Sequence, residues 1–166
     1  MRIALCGMMG CGKTTVGKAL AKRLGWEFLD TDEVIVGRYG PISEIFSVQG
    51  EEYFRDLETE IAKEIEGHNE AVVSVGGGFV LRKENVDSLK QGGKIVLLSA
   101  KKETLQKRLE GDTSRPLLQG KQLSLRLEEL LKKRLPVYES VCDAVVSVED
   151  CSPEEIADKI AEMFGL

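Results

Sequence analysis

Between a short apolar run, Ile3-Ala4-Leu5-Cys6, and a helically spaced run from Lys13 to Leu24 lies Gly7-Met8-Met9-Gly10-Cys11-Gly12-Lys13-Thr14. This stretch fits G-x-x-x-x-G-K-[ST], the P-loop pattern that joins a strand to a helix around a phosphate. The glycines let backbone N–H groups curl round the β-phosphate, and the helix aims its positive end at the same charge. Lys13 is placed to bridge β- and γ-phosphates, and the Thr14 hydroxyl to ligate Mg²⁺. The pattern arises by chance in roughly one chain of this length in 200. Here its flanking strand and helix are present too, so an incidental glycine turn is a poor account of it. The motif confines the chain to α/β folds in which a buried strand feeds a helix.

The rest of the chain keeps that alternation. Trp26 to Leu29 reads as a second strand ending at Asp30, Ala71 to Val75 as a third, Lys94 to Leu98 as a fourth and Ala144 to Val148 as a fifth. Helical spacing covers Pro41 to Val48, Glu51 to Glu66, Arg82 to Lys90, Lys102 to Leu109 and Gln122 to Leu135, the last ended by Pro136. A final helix has a sharp start: Ser152 as N-cap, Pro153 at the first turn and Glu155 completing a capping box. Strands that are apolar throughout suit burial on both faces, so a five-stranded parallel sheet between two helix layers is expected. With 166 residues and no linker or repeat, residues 1–166 form a single domain.

Composition narrows the partners. The net charge is −5, which disfavours a nucleic-acid or anionic-membrane surface, and no apolar run approaches a membrane span. The cysteines Cys6, Cys11, Cys142 and Cys151 form no C-x-x-C pair, and His68 is the sole histidine, so four reduced thiols in a cytoplasmic protein are expected rather than a zinc site. Cys11, inside the P-loop, is either a reactive thiol or a passive small residue. The chain has neither D-x-x-G nor N-K-x-D, which makes a switch GTPase a poor fit. Thr15 stands where G-x-G-x-x-G would need a glycine.

Asp30-Thr31-Asp32 follows the second strand directly. Ligands of open α/β sheets bind beyond the carboxyl ends of strands, so these carboxylates can hold Mg²⁺ through water and receive a hydroxyl proton. The third and fourth strands end in Gly76 and Ser99, which leaves Asp30 as the residue for the metal shell; a helix cap is the other reading. Arg134 falls seven residues after Leu127, about 20° from that apolar position, and an arginine on the core side needs a partner, either an ion pair or a ligand. Arg55 flanks the apolar stripe of its own helix. Its planar fork, like that of Arg134, suits a carboxylate. Arg115, before Pro116 in the glycine-flanked loop from Gly111 to Gly120, is placed to close over a nucleotide. Gly76-Gly77-Gly78 permits close backbone approach to a ligand, or is a plain turn.

Taken in order, these segments resemble the shikimate kinase family over nearly the whole chain. The resemblance rests on Gly7 to Thr14, on Phe28-Leu29-Asp30-Thr31-Asp32 and on Ile42-Ser43-Glu44-Ile45-Phe46 leading to Gly50-Glu51. It continues through Phe54-Arg55-Asp56-Leu57-Glu58, Val75 to Gly78, Arg115-Pro116-Leu117-Leu118, and Arg134-Leu135-Pro136-Val137-Tyr138-Glu139. It implies a three-layer nucleoside-monophosphate-kinase-like fold with strand order 2-3-1-4-5, acceptor-binding helices at about 31–60 and a lid at about 110–121. It implies transfer of the ATP γ-phosphate to the 3-hydroxyl of shikimate, with one Mg²⁺ ion, by a monomer. Lys13, Asp32 and Arg115 would be catalytic. Gly10, Cys11, Gly12, Lys13, Thr14, Thr15, Arg108 and Arg115 would hold ATP, with Arg108 stacked on adenine. Asp32, Phe46, Phe54, Arg55, Gly76, Gly77, Gly78 and Arg134 would hold shikimate. Thr14, with Asp30 through water, would hold the metal. The family often has a basic residue in its adenine loop; Glu149-Asp150-Cys151-Ser152-Pro153 has none. Other small-molecule P-loop kinases, for gluconate or a nucleoside monophosphate, and a non-catalytic nucleotide-binding module are the alternatives.

Overall fold

The computed structural model describes residues 1–111 and 120–166. Five parallel strands, β1 (Arg2–Cys6), β2 (Glu27–Asp30), β3 (Ala71–Ser74), β4 (Gly93–Ser99) and β5 (Ala144–Ser147), form one sheet in the order β2-β3-β1-β4-β5. The sheet order matches the expectation from the resemblance. Every residue of β1 and β3 is buried, as continuous apolar runs require. The outer strands β2 and β5 are only partly buried, because each has a neighbour on one side.

Helices α1 (Lys13–Leu24), α2 (Thr31–Tyr39), α3 (Ile42–Gln49), α4 (Glu51–Ile65), α5 (Lys83–Lys90), α6 (Lys102–Glu110), α7 (Gly120–Val141) and α8 (Pro153–Phe164) surround the sheet. α1 packs against α8 and approaches β2 closely at Gly17, where a Cβ would meet the Phe28 ring at 2.5 Å. The capping box of α8 is present: Ser152 Oγ accepts from the Glu155 amide at 3.1 Å, and Glu155 Oε2 accepts from the Ser152 amide at 2.7 Å.

Three elements differ from the sequence reading. α2 follows Asp30 at once, where spacing alone marked no separate helix. A 3₁₀ turn at Phe79–Leu81 follows the triple glycine. And α7 does not stop at Pro136 but continues to Val141. A proline lacks the N–H that would bond the carbonyl four residues back, and this usually ends a helix. Here the turn beyond it is held by tertiary contacts, because Tyr138 is 1% exposed and its hydroxyl donates to the Gly77 carbonyl.

At the amino edge of the sheet Arg2 is 3% exposed. Its guanidinium donates to the carbonyls of Glu66 (3.0 Å), His68 (2.6 Å) and Gln91. Glu66 and Gln91 are the C-caps of α4 and α5. The buried cation therefore sits at the negative ends of two helices.

Candidate active site

β1 delivers the P-loop to the carboxyl edge of the sheet, and the loop turns back into α1 through Gly7, Gly10 and Gly12, all with positive φ (+142°, +82° and +94°). A Cβ on Gly7 would lie 2.7 Å from the Leu98 carbonyl oxygen, so that position admits only glycine. Lys13 Nζ donates to the carbonyls of Gly7 (2.9 Å) and Met8 (3.1 Å), which aligns the ammonium along the loop. Cys11 is buried, with its sulfur 2.9 Å from where a Gly7 Cβ would stand. It fills space beneath the loop, and Lys13 Nζ donates to its sulfur at 3.9 Å.

Asp30 does two jobs at once. Its Oδ1 accepts the amides of Asp32 (3.0 Å) and Glu33 (3.3 Å), capping α2, while Oδ2 accepts from the Thr14 hydroxyl at 2.7 Å. Cap and metal-shell readings are therefore compatible. A hydroxyl and a carboxylate side by side beneath a phosphate loop are hard oxygen donors of the kind Mg²⁺ takes, the remaining positions falling to phosphate and water. Among the described residues no cluster of three or more His, Cys, Asp or Glu could hold a metal by itself.

A cleft of about 410 Å³ joins the P-loop to the acceptor side. Lys13, Thr14, Thr15 and Asp30 line one end, and Asp32, Gly76, Gly77 and Arg134 the other. Of the triple glycine, Gly76 and Gly77 line the cleft beside Asp32 and Arg134. A Cβ on Gly76 would meet Asp32 Oδ1 at 2.9 Å and Glu58 Oε1 at 3.0 Å; one on Gly77 would meet Arg134 Nη1 at 3.0 Å. One on Gly78 would strike the Arg55 guanidinium at 2.5 Å. The Gly76 amide is already committed to Thr31 Oγ1 at 3.1 Å, and Gly78 lies just beyond the lining of the cleft. Arg55, Phe46 and Phe54 do not line this cleft. They adjoin it past Gly78, with Phe46 and Phe54 ring centroids 5.0 Å apart and Arg55 5.3 Å over the Phe54 ring.

A second cavity of about 230 Å³ lies on the other side of the P-loop, walled by Gly10, Cys11, Gly12, Thr15, Arg108, Cys151 and Pro153. Arg108 Nη1 donates to the Gly10 carbonyl at 3.2 Å. The loop lacking a basic residue is tied to α6 by Glu149, which accepts the Lys101 amide at 2.7 Å and the Thr104 hydroxyl at 2.8 Å. These hydrogen bonds hold its carboxyl below the ordinary glutamate value. Arg115 and most of the expected lid lie outside the described residues.

Two residues at the site carried no assigned role in the sequence reading. Glu58 is fully buried and pairs with Arg55 Nη1 at 2.8 Å; Oε1 has no hydrogen-bond partner among the described residues. Burial raises its pKa, and Asp32 adds to the rise, while Arg55 opposes it. Tyr138 donates to the Gly77 carbonyl at 2.5 Å, and burial pushes its phenol up to about 12. The signals were present. Glu58 interrupts the Phe54, Leu57, Ile61 stripe, and Tyr138 stands one helical turn after Arg134.

A phosphate loop facing an acceptor cleft with a carboxylate and an arginine defines a P-loop phosphotransferase for small molecules. The model of the shikimate kinase family matches residues 9–164. The shikimate kinase of Thermodesulfovibrio yellowstonii is 47% identical over 98% of this chain and 94% of its own length. That of Moorella thermoacetica is 43% identical over 96% and 92%. The solved structure of the Acinetobacter baumannii shikimate kinase in complex with shikimate superposes with a TM-score of 0.91, at 38% identity over 98% and 92% of the two chains. A gluconokinase from Sinorhizobium meliloti shares the fold alone, with a TM-score of 0.63 at 20% identity. The chain belongs to the shikimate kinase family.

Proposed function

We propose that the protein transfers the γ-phosphate of ATP to the 3-hydroxyl of shikimate, giving 3-phosphoshikimate and ADP on the route to aromatic amino acids. The observation that carries this is the single cleft with Lys13 and Thr14 at one end and Asp32 and Arg134 at the other. The phosphorus–oxygen bond to ADP breaks as one to the 3-oxygen forms, and the hydroxyl proton passes to Asp32. Lys13 exchanges the Gly7 and Met8 carbonyls for phosphate oxygens. Arg134 and Arg55 grip the acceptor carboxylate, with Gly77, Gly78, Phe46 and Phe54 beside the ring. Thr14 directly, and Asp30 through water, would hold one Mg²⁺, which supplies charge neutralisation on the phosphates. Arg108 and Pro153 flank the base, and Arg115 closes over the phosphates.

Phosphoryl transfer needs chiefly positioning and charge neutralisation, which these groups supply. The reading extends to a monomer acting on small molecules in the cytoplasm, without nucleic acid or membrane. All four cysteines are unpaired, and no helix among the described residues is long and apolar enough to cross a membrane.

The test is ADP release with ATP and Mg²⁺ in the presence of shikimate, against gluconate, CMP, AMP and no acceptor. Turnover with shikimate alone is the expected result. Turnover with another acceptor only would reassign the arginines, and silence with all would indicate a nucleotide-binding module.

A further inference from the structure

Gly77 and Gly78 share a peptide bond between two residues without Cβ, the arrangement in which a backbone plane rotates most freely. Yet the acceptor reading needs this plane held in one orientation, because Gly77 lines the cleft. The restraint comes from α7. Tyr138 is 1% exposed and its hydroxyl donates to the Gly77 carbonyl at 2.5 Å. Its oxygen also lies 3.6 Å from where a Gly77 Cβ would stand, beside Arg134 Nη1 at 3.0 Å. Arg134, one turn earlier on the same helix, brings its guanidinium to the same glycine. Guanidinium and phenol thus meet at Gly77, and the phenol holds its carbonyl.

The peptide bonds are trans, so holding the Gly77 oxygen toward α7 turns the Gly78 N–H away from it. A buried donor and acceptor that satisfy one another resist separation, because each would be left unpaired.

We propose that Tyr138 is a positioning residue for shikimate binding: its hydroxyl locks the Gly77–Gly78 peptide, beside the Arg134 guanidinium, in the arrangement that receives the acceptor. Tyr138 itself does not line the cleft. The proposal rests on the acceptor assignment above, and the experiment separates the two.

Tyr138→Phe keeps the ring and its packing and removes one oxygen. KM for shikimate, KM for ATP, kcat and Tm are measured for this variant and for Arg134→Ala beside the wild type. Loss of one buried hydrogen bond sets the scale, so the shikimate KM of Tyr138→Phe should rise about tenfold. The ATP KM should stay within twofold. A merely structural tyrosine would lower Tm without separating the two KM values. Unchanged KM values in Tyr138→Phe overturn the lock, whether or not Arg134→Ala raises the shikimate KM. Parallel rises in both KM values overturn it too, because they mean general loosening. A selective rise in Tyr138→Phe with no effect of Arg134→Ala supports the lock on the Gly77–Gly78 peptide and removes Arg134 from the acceptor site.

Discussion

At the amino edge of the sheet a buried arginine, Arg2, faces the C-terminal ends of α4 and α5 and donates to three carbonyls. At the carboxyl edge the helix ends are reversed. α1 begins at the P-loop and α2 begins at Asp30, so N–H groups and positive helix ends face the cleft. A parallel sheet with helical crossovers imposes this polarity, because each helix runs back against its strands. One edge therefore suits cations and the other anions, and a net charge of −5 for the whole chain says nothing about either. The arginines differ accordingly. Arg2 spends its two terminal nitrogens on carbonyls of the fold, whereas Arg134 and Arg55 stand at an edge already favourable to anions and add directed forks to it.

If the two edges have these separate roles, substitutions should divide between turnover and stability. Asp32→Asn tests the reacting edge most severely. Removing a general base lowers kcat by roughly 10²–10⁴-fold, with Tm nearly unchanged. Near-normal turnover would take Asp32 out of the chemistry. Arg134→Ala comes next. Loss of a charged partner costs about 2–5 kcal/mol, read as a higher KM for shikimate with the ATP KM preserved. A small effect would move the acceptor carboxylate elsewhere.

The opposite edge should show the reverse pattern. Arg2→Met keeps the stem and removes the donors to three carbonyls. The expected loss is about 2 kcal/mol of stability, or roughly 6 °C in Tm. Both KM values should stay as in the wild type. If Arg2→Met alters KM as strongly as Arg134→Ala, the division between the edges fails.

The carboxyl edge was far more legible in the sequence than the amino edge, and the reason is physical. A P-loop must have its glycines and lysine at fixed spacing, and Asp30-Thr31-Asp32 and the triple glycine each follow an apolar strand. Arg2 precedes an apolar run and looks like an ordinary solvated end, because its three carbonyl partners are 64, 66 and 89 residues away. Pro136 misled for a related reason. Local chemistry says that a helix ends there, and the contact that keeps α7 going, Tyr138 to Gly77, spans 61 residues. Glu58 was visible as a charge within an apolar stripe, but only the fold shows that it lies between Arg55 and Asp32.

Glu58 gives the finest test of how the acceptor edge manages charge. Its buried carboxyl has a raised pKa, burial being the larger cause and the Arg55 pair the opposing one. The folded protein therefore binds this proton more tightly than the unfolded chain does. Stability from this source is fully present below the ordinary glutamate value, 4.5, and is lost as pH rises through the raised value in the folded state. Gln at this position does not titrate. The stability of the wild type minus that of Glu58→Gln should therefore fall as pH is raised from about 4 toward neutrality. Urea midpoints of the two proteins across that range provide the measurement, and the difference cancels the exposed pairs that titrate alike in both. A difference that grows with pH would mean that the Arg55 pair outweighs desolvation, so that Glu58 lies below its ordinary value. The acceptor edge would then hold a stabilising ion pair rather than a carboxyl kept under strain by burial.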